Sequence, residues 1–287
     1  MKKILVIISA LVLAASCAEK APSVMARYVP ERADDFVWEN DLVCYRVYGK
    51  ALEGNPTSPG FDIWVKYPGK LIADTLYKNE LVYKKSYHKN LGDGKDCYKV
   101  AVSLGGGASA PYVNGCLEYP ATNYRSWEIL EQKPSKTVFC IHYPQWEMSN
   151  GVKVALDKKF TVTAGTYFCK CEDTYTFEGC DELEIFAGVN RHTDLHGIEN
   201  ESIMTDCYAL WEHASDQVAE PEDGFLGVAV IVPRTGLSML SDDLTHGGCV
   251  KKVKSGEPFS YYFGTCWSKA GVESWNDWLS IVRKGAK

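Results

Sequence analysis

Short runs of alternating apolar and polar residues recur along most of the chain. These runs mix β-branched with aromatic residues, and Gly, Pro, Asn or Asp bound each of them. Alternation with a period of two residues is typical of strands that have one buried face. The pattern predicts ten strands, at residues 42–48, 61–66, 98–102, 124–130, 137–143, 152–162, 167–171, 183–187, 226–232 and 259–266.

One stretch near the carboxyl end has helical periodicity. Ser274 and Asp277 have the spacing of an N-terminal cap. Apolar residues follow with helical spacing: Trp275, Trp278, Leu279 and Val282. We expect this helix to pack on a sheet through its indole rings.

The order of these elements favours an all-β fold. No strands alternate with long amphipathic helices, which disfavours a doubly wound sheet, and no fixed-period repeat indicates a propeller or solenoid. We therefore predict a single domain at residues 31–287. It would be a large antiparallel β-sandwich with a short C-terminal helix.

The first residues have the features of an export signal. Lys2 and Lys3 precede an apolar run that is too short to span a bilayer comfortably, and small residues lead to Cys17. We predict a signal peptide at residues 1–16 and, because AASC resembles a lipobox, lipidation of Cys17. Ordinary signal cleavage is the alternative. Residues 17–30 would form a tether, and the protein would be a periplasmic or outer-membrane lipoprotein that touches the membrane through its lipid only.

Composition narrows the choice of partner. The net charge is −6 at pH 7 without a basic block, which argues against nucleic acid. Aromatic residues make up 12% of the chain, and rings of this kind stack on the C–H faces of sugars. We expect an oligosaccharide or polysaccharide partner and no cofactor. Three cysteines make an incomplete metal cluster, so we expect no metal and favour a disulfide that involves one of them: Cys169, Cys171 or Cys180.

The segment at residues 87–107, YHKNLGDGKDCYKVAVSLGGG, carries the main candidate chemistry. The imidazole of His88 suits a general acid or base, which Asp93 or Asp96 can orient. A histidine that only stabilises the turn is the alternative. Lys99 can stabilise developing negative charge. The closing glycines indicate close approach of a ligand or another strand, or a flexible loop.

A second candidate surface lies on the strand at residues 61–66. Alternation places Asp62, Trp64 and Lys66 on one face. We interpret this face as a concave sugar platform on which Trp64 stacks, with Arg46 joining from the neighbouring strand; a solvated outer face is the alternative. A similar aromatic and carboxylate pair lies further along the chain, at Trp211 and Glu212.

The remaining histidines indicate no known motif. His192 and His196 are four residues apart, but the glutamate of the zinc-protease motif is missing. His142 is expected on a strand, at the core or the sheet surface. No G-x-S-x-G elbow is present, which weakens a serine hydrolase hypothesis.

Several segments together resemble a bacterial family, the domain of unknown function 4861, which is common in gene clusters for plant and algal polysaccharide use. They are FVWENDLVCYRVYG, SPGFDIWVKYP, YHKNLGDGKDCYKV, YRSWEILEQKPSKTVFCIHYPQW, NGVKV, YALWEHA, FLGVAVIV and YYFGTCWSKAGVESWNDW. The resemblance implies a β-supersandwich of the galactose-mutarotase type, a fold that also occurs in sugar epimerases, polysaccharide lyases and glycoside hydrolase domains. It implies no particular reaction.

These observations favour an exported enzyme that acts on an acidic, uronate-containing saccharide. Arg46, Lys66 and Lys99 would receive the uronate carboxylate, and His88 with Tyr98 would transfer protons in a lyase, epimerase or hydrolase reaction. A non-catalytic carbohydrate-binding lipoprotein is the alternative, and an envelope protein without saccharide binding is a third hypothesis.

Overall fold

A computed structural model describes residues 23–53, 58–193, 197–214, 221–234 and 236–285. Within these ranges the chain forms three sheets whose strands all pair antiparallel, and two α-helices. The first sheet has the order β1 (Val24–Val29), β2 (Asp35–Asn40), β3 (Cys44–Val47), β4 (Asp62–Lys66), β5 (Gly94–Asp96). The second has the order β13 (Ile198–Met204), β14 (Cys207–His213), β15 (Phe225–Ile231), β18 (Pro258–Trp267), β11 (Phe168–Glu178), β10 (Lys153–Thr163), β9 (Lys136–Glu147), β8 (Ser126–Lys133). The third has the order β16 (Leu237–Leu240), β17 (His246–Val253), β12 (Leu183–Asn190), β6 (Gly106–Val113), β7 (Cys116–Leu117).

The second sheet packs against the first and the third, and the main core lies between them. Aromatic rings fill its centre, with centroids 4.8 to 6.3 Å apart, from Phe36, Trp38, Phe139, Phe160 and Phe263. These rings pack in tilted, stacked and edge-to-face pairs, which add to the free energy of burial. The predicted all-β sandwich is confirmed.

The domain begins earlier than the predicted boundary at residue 31. β1 occupies part of the segment predicted as a tether and pairs with β2 along its whole length. The predicted signal peptide and Cys17 lie outside the described residues. None of the described helices is both long and apolar enough to cross a membrane.

The C-terminal helix is confirmed as α2 (Trp275–Gly285). The Ser274 hydroxyl accepts the backbone N–H of Asp277 at 3.3 Å, as the cap predicts. Trp278 is fully buried and stacks on Phe168 with centroids 5.7 Å apart. Trp275 is only half-buried.

A second helix, α1 (Ala73–Leu81), was not predicted. Its first residues have no side-chain cap of their own. Instead, the carboxylate of Glu39 in β2 accepts the backbone N–H groups of Ile72 and Ala73 at 2.8 and 2.9 Å. Because that cap comes from a distant part of the chain, no local sequence signal marks the helix start.

The strand predicted at residues 98–102 is wrong. This stretch is a loop that leads into β6. Of the alternatives for the closing glycines, close approach of another strand is confirmed. Gly105 has φ +58°, and a Cβ there would lie 2.3 Å from the carbonyl oxygen of Phe61. A Cβ on Gly106 would lie 2.3 Å from the Ile63 side chain.

The predicted disulfide is wrong for the described cysteines. Cys169, Cys171 and Cys180 are all free thiols, as are the other seven cysteines that the structure describes. Cys169 and Cys171 lie in the core, where a thiol packs as a small apolar side chain.

Candidate functional site

The segment that leaves β5 joins two clusters of ionisable side chains. Asp96 at the end of β5 belongs to the first cluster, on the face of the first sheet that α1 covers. Tyr98 and the backbone of Lys99 belong to the second, in the main core. The predicted site residues therefore separate into two groups.

The first cluster is centred on the guanidinium of Arg46. Strand alternation places its three carboxylate partners on the same face of the first sheet. Asp62 lies opposite Arg46 on β4, Asp96 lies opposite Trp64 on β5, and Asp35 begins β2, which pairs with β3 on its other side. The Nη groups of Arg46 lie 2.5 Å from Asp62, 2.8 Å from Asp96 and 3.5 Å from Asp35. All four side chains have at most 3% of their surface exposed.

Aromatic rings enclose the same guanidinium. Its central carbon lies 4.9 Å from the ring centroid of Trp64, 5.0 Å from that of Tyr48 and 5.4 Å from that of Tyr87. Cation–π contacts of this kind stabilise a desolvated arginine. They also hold Arg46 in place, so the positions of Asp62 and Asp96 are fixed in turn.

Burial changes the acidity of one carboxyl group in this cluster. It raises the pKa of Asp35 to about 6, against the opposing attraction of Arg46 and Arg32. The negative charge of Asp62 raises it further. Three carboxylates share only two guanidinium groups, so negative charge is in excess. A proton on one carboxyl group brings the cluster closer to neutrality.

His88 connects this cluster to solvent. Its Nδ1 atom lies 3.9 Å from Oδ2 of Asp96, and 47% of its side chain is exposed. Its ring packs on Tyr87 with centroids 4.8 Å apart. The predicted pairing of His88 with Asp96 is thus present in space, whereas Asp93 lies near the surface and pairs with Lys70.

The prediction of an open sugar platform on β4 is wrong, because its residues are buried. Asp62, Trp64 and Lys66 do share one face, but α1 and the residues after it cover that face. Trp64 has no exposed surface, and its ring packs 5.0 Å from Tyr77 and 5.2 Å from Tyr87.

The two predicted cations of that face are already engaged in buried contacts. Lys66 donates to the carboxylate of Glu39 and to the carbonyl of Asn40, both at 2.6 Å. Arg46 is bonded to the carboxylates described above. Both cations have internal partners for the same physical reason: a buried charge is tolerated only when it is paired.

The second cluster is centred on His192, which lies just after β12. Its Nε2–H donates to the carbonyl oxygen of Lys99 at 2.7 Å. Its Nδ1 lies 2.9 and 3.0 Å from the two carboxylate oxygens of Glu212, so a further proton must lie between these two residues. The imidazole thus fixes the backbone of the loop that follows β5.

Tyr98 packs edge-on against His192, with centroids 4.8 Å apart. Burial, reinforced by the charge of Glu212, raises the pKa of Tyr98 well above its usual value, so its hydroxyl keeps its proton. That hydroxyl has no hydrogen-bond partner among the described residues. Tyr98 therefore lies on the His192 side of the segment, not beside His88.

Trp211 and Glu212 point to opposite faces of the second sheet. Glu212 faces His192, while Trp211 packs under α2 and stacks on Phe225 with centroids 5.8 Å apart. The pair does not form one surface, because adjacent residues of a strand alternate.

Sequence reasoning missed His192 and Asp35 as members of these clusters. The local spacing links His192 only to His196, which lies outside the described residues. Its real partner, Glu212, is on another strand, and no local spacing indicates the pair. Among the described residues, no group of three or more His, Cys, Asp or Glu side chains is placed to hold a metal ion.

A family model with the description "Domain of unknown function (DUF4861)" matches residues 14–287. Uncharacterized protein P7 of Formosa agariphila is 30% identical over 217 residues, which make up 73% of this chain and 52% of that protein. The chain thus spans about half the length of the curated relative that it matches.

The chain also aligns with parts of some solved α-galactosidase structures. A family 36 enzyme of Geobacillus stearothermophilus aligns with a TM-score of 0.41 and 12% identity, over 86% of this chain and 41% of that one. The Lactobacillus brevis α-galactosidase aligns with a TM-score of 0.33 and 10% identity, over 84% of this chain and 40% of that one.

Proposed function

The chain belongs to the DUF4861 family, and we propose that it is a carbohydrate-active enzyme in which His88 transfers a proton. One observation carries the proposal. His88 is an exposed imidazole whose Nδ1 lies 3.9 Å from a buried carboxylate, Asp96. Asp96 in turn is held by Arg46 at 2.8 Å.

This arrangement suits general acid–base chemistry. An imidazole gains and loses a proton near neutral pH. A small rotation of His88 brings Nδ1–H within bonding distance of Asp96, which then orients the ring and stabilises the imidazolium form. Asp96 keeps its place because it is bonded to the Arg46 guanidinium, which three aromatic rings contact.

A saccharide fits the surroundings of His88. The half-buried ring of Tyr48 lies beside the cluster, against the guanidinium groups of Arg46 and Arg32, and aromatic rings of this kind stack on sugar rings. The acidic-sugar part of the proposal rests on Lys99, whose side chain is half-buried. Arg46 and Lys66 support the fold and not the substrate, because both are saturated by internal carboxylates.

The test compares two histidines that each have an aspartate partner. His142 lies on the open face of the second sheet, with Nδ1 2.6 Å from Asp157 and 37% of its side chain exposed. We expect His88→Gln to lower turnover ~100-fold or more, and His142→Gln to leave it unchanged.

The assay is a panel of polyuronates and neutral oligosaccharides. Ultraviolet absorbance of a new double bond identifies a lyase, a new reducing end identifies a hydrolase, and exchange of solvent deuterium into recovered sugar identifies an epimerase. Equal turnover in H88Q and the wild-type chain, on a substrate that the protein converts, contradicts the role of His88.

A non-catalytic saccharide-binding protein is the second candidate. It is favoured by the paired state of Arg46, Asp62 and Lys66, whose charges are engaged by buried internal partners. In this case calorimetry finds a saccharide that binds wild-type and H88Q chains equally, and product analysis finds no conversion.

A further inference from the structure

A lysine and an aspartate meet inside the main core, far from solvent. Lys158 in β10 and Asp173 in β11 are directly opposite in the antiparallel register. The Nζ atom lies 2.6 Å from Oδ2 of Asp173, and the two side chains are 2% and 0% exposed. An amine and a carboxyl group are thus held in contact without competing water.

The surroundings of this pair are aromatic. The Lys158 ammonium lies 5.5 Å from the ring centroid of Phe61. The charge of Asp173 contributes to the raised pKa values of the neighbouring Tyr143 and Tyr261, after the larger effect of burial. In such a medium an ion pair loses much of its advantage over a neutral amine and a neutral carboxylic acid.

Proton donors surround the Asp173 carboxyl group. The Ser109 hydroxyl donates to Oδ2, and the Tyr175 hydroxyl lies 2.7 Å from the Ser109 oxygen. On the other side, the Cys171 thiol donates to Oδ1 at 3.0 Å. Burial raises the pKa of both Cys171 and Tyr175, so each keeps its proton.

We propose that Lys158 and Asp173 condense to a side-chain amide, a covalent cross-link between β10 and β11. Nζ passes one proton to the carboxylate and becomes a neutral amine, which attacks Cγ of Asp173. The Cγ–Oδ2 bond breaks after Oδ2 has received a second proton from Nζ through Ser109. One water molecule leaves, and no oxidant or other reactant is needed.

The geometry favours each part of this reaction. Two reacting groups fixed in contact have a high effective concentration. The Cys171 thiol is placed to bond the oxygen that becomes negative when Cγ is tetrahedral. The amide is neutral, so condensation removes two charges from the core.

The wild-type chain itself provides the test. Trypsin cleaves after Lys159 and Lys170, so Lys158 and Asp173 fall in different peptides of the unfolded protein. We expect mass spectrometry to find these peptides joined, with a mass lower than their sum by one water molecule, and fragmentation to place the link at Lys158 and Asp173.

Two variants sharpen the result. Lys158→Arg keeps the positive charge but forms no amide, so its peptides should be recovered separately. Asp173→Asn should yield the same joined peptide of identical mass, because ammonia leaves in place of water. Recovery of the wild-type peptides only as separate species overturns the proposal, whether or not either variant folds. This result does not depend on the role of His88.

Discussion

One buried arginine, Arg46, faces three carboxylates, those of Asp35, Asp62 and Asp96. This excess of negative charge determines how the first cluster responds to pH. Burial raises the pKa of Asp35 to about 6, above its usual value of 3.8. The folded state then binds the proton more tightly than the unfolded state does. The associated stability is fully present below the unfolded pKa and is lost as the pH rises through about 6.

Asp35→Asn should remove this dependence. Between about pH 7.5 and about pH 5, the wild-type chain should gain about 1 kcal/mol in free energy of unfolding relative to the variant. Urea unfolding at both pH values measures the difference.

The buried side chain of His246 also makes the stability depend on pH, but it does so equally in the wild-type chain and in the Asp35→Asn variant. Burial lowers its pKa to about 4, so its contribution has the opposite sign and is lost as the pH falls from the unfolded value of 6.5. Both chains carry His246, so it does not affect their difference. A difference that does not change with pH would show that Asp35 is ionised over the whole range.

At the scale of elements, α1 depends on a cap that another element supplies. Glu39 receives the first N–H groups of the helix and the ammonium of Lys66. Burial raises the pKa of Glu39, against the attraction of Lys66 and the two backbone N–H groups. The helix in turn covers Trp64, so the cap also keeps the face of β4 closed.

Glu39→Gln should therefore destabilise the protein by ~3–5 kcal/mol, because it leaves the Lys66 ammonium buried and unpaired. Ser274→Ala, which removes the exposed local cap of α2, should cost only about 1 kcal/mol. Chemical unfolding of both variants gives the comparison.

The double variant E39Q/K66M separates the two causes. It should be less destabilised than E39Q alone, because no unpaired charge remains in the core. Equal stability of E39Q and S274A would mean that Glu39 acts as an ordinary surface cap.

At the scale of the whole molecule, the glycine run links the first sheet to the third. Phe61, the residue before β4, forms a bridge with Gly105, the residue before β6. The backbones approach too closely for any side chain at Gly105. The loop between β5 and β6, which carries Tyr98 and Lys99, is thereby fixed at both ends.

Gly105→Ala should be far more damaging than a glycine change with the same backbone strain. Gly165 has φ +77° but nothing within 4 Å of its added Cβ, so Gly165→Ala should cost about 1 kcal/mol. Gly105→Ala adds a clash with the Phe61 backbone and should cost about 2–4 kcal/mol more.

Thermal and urea unfolding of the two variants measure this difference. Equal destabilisation would mean that the first and third sheets move apart at this point without strain.

The sequence by itself determined the features that depend on neighbours along the chain. Alternation predicted the all-β class, because a strand repeats every two residues whatever it packs against. The cap at Ser274 and its helical spacing predicted α2 for the same reason. The segment around His88 and Asp96 was predicted as a candidate catalytic site because both residues lie in one turn-rich stretch.

Only the tertiary structure decided burial and partnership. The face of Trp64 and Lys66 looked like an open platform, and it is covered because a helix capped by Glu39, a residue of another strand, packs on it. The pairs His192 with Glu212 and Lys158 with Asp173 each join residues from different elements. The first contact arises when two sheets pack and the second when two strands pair, and no local spacing in the sequence records either of them.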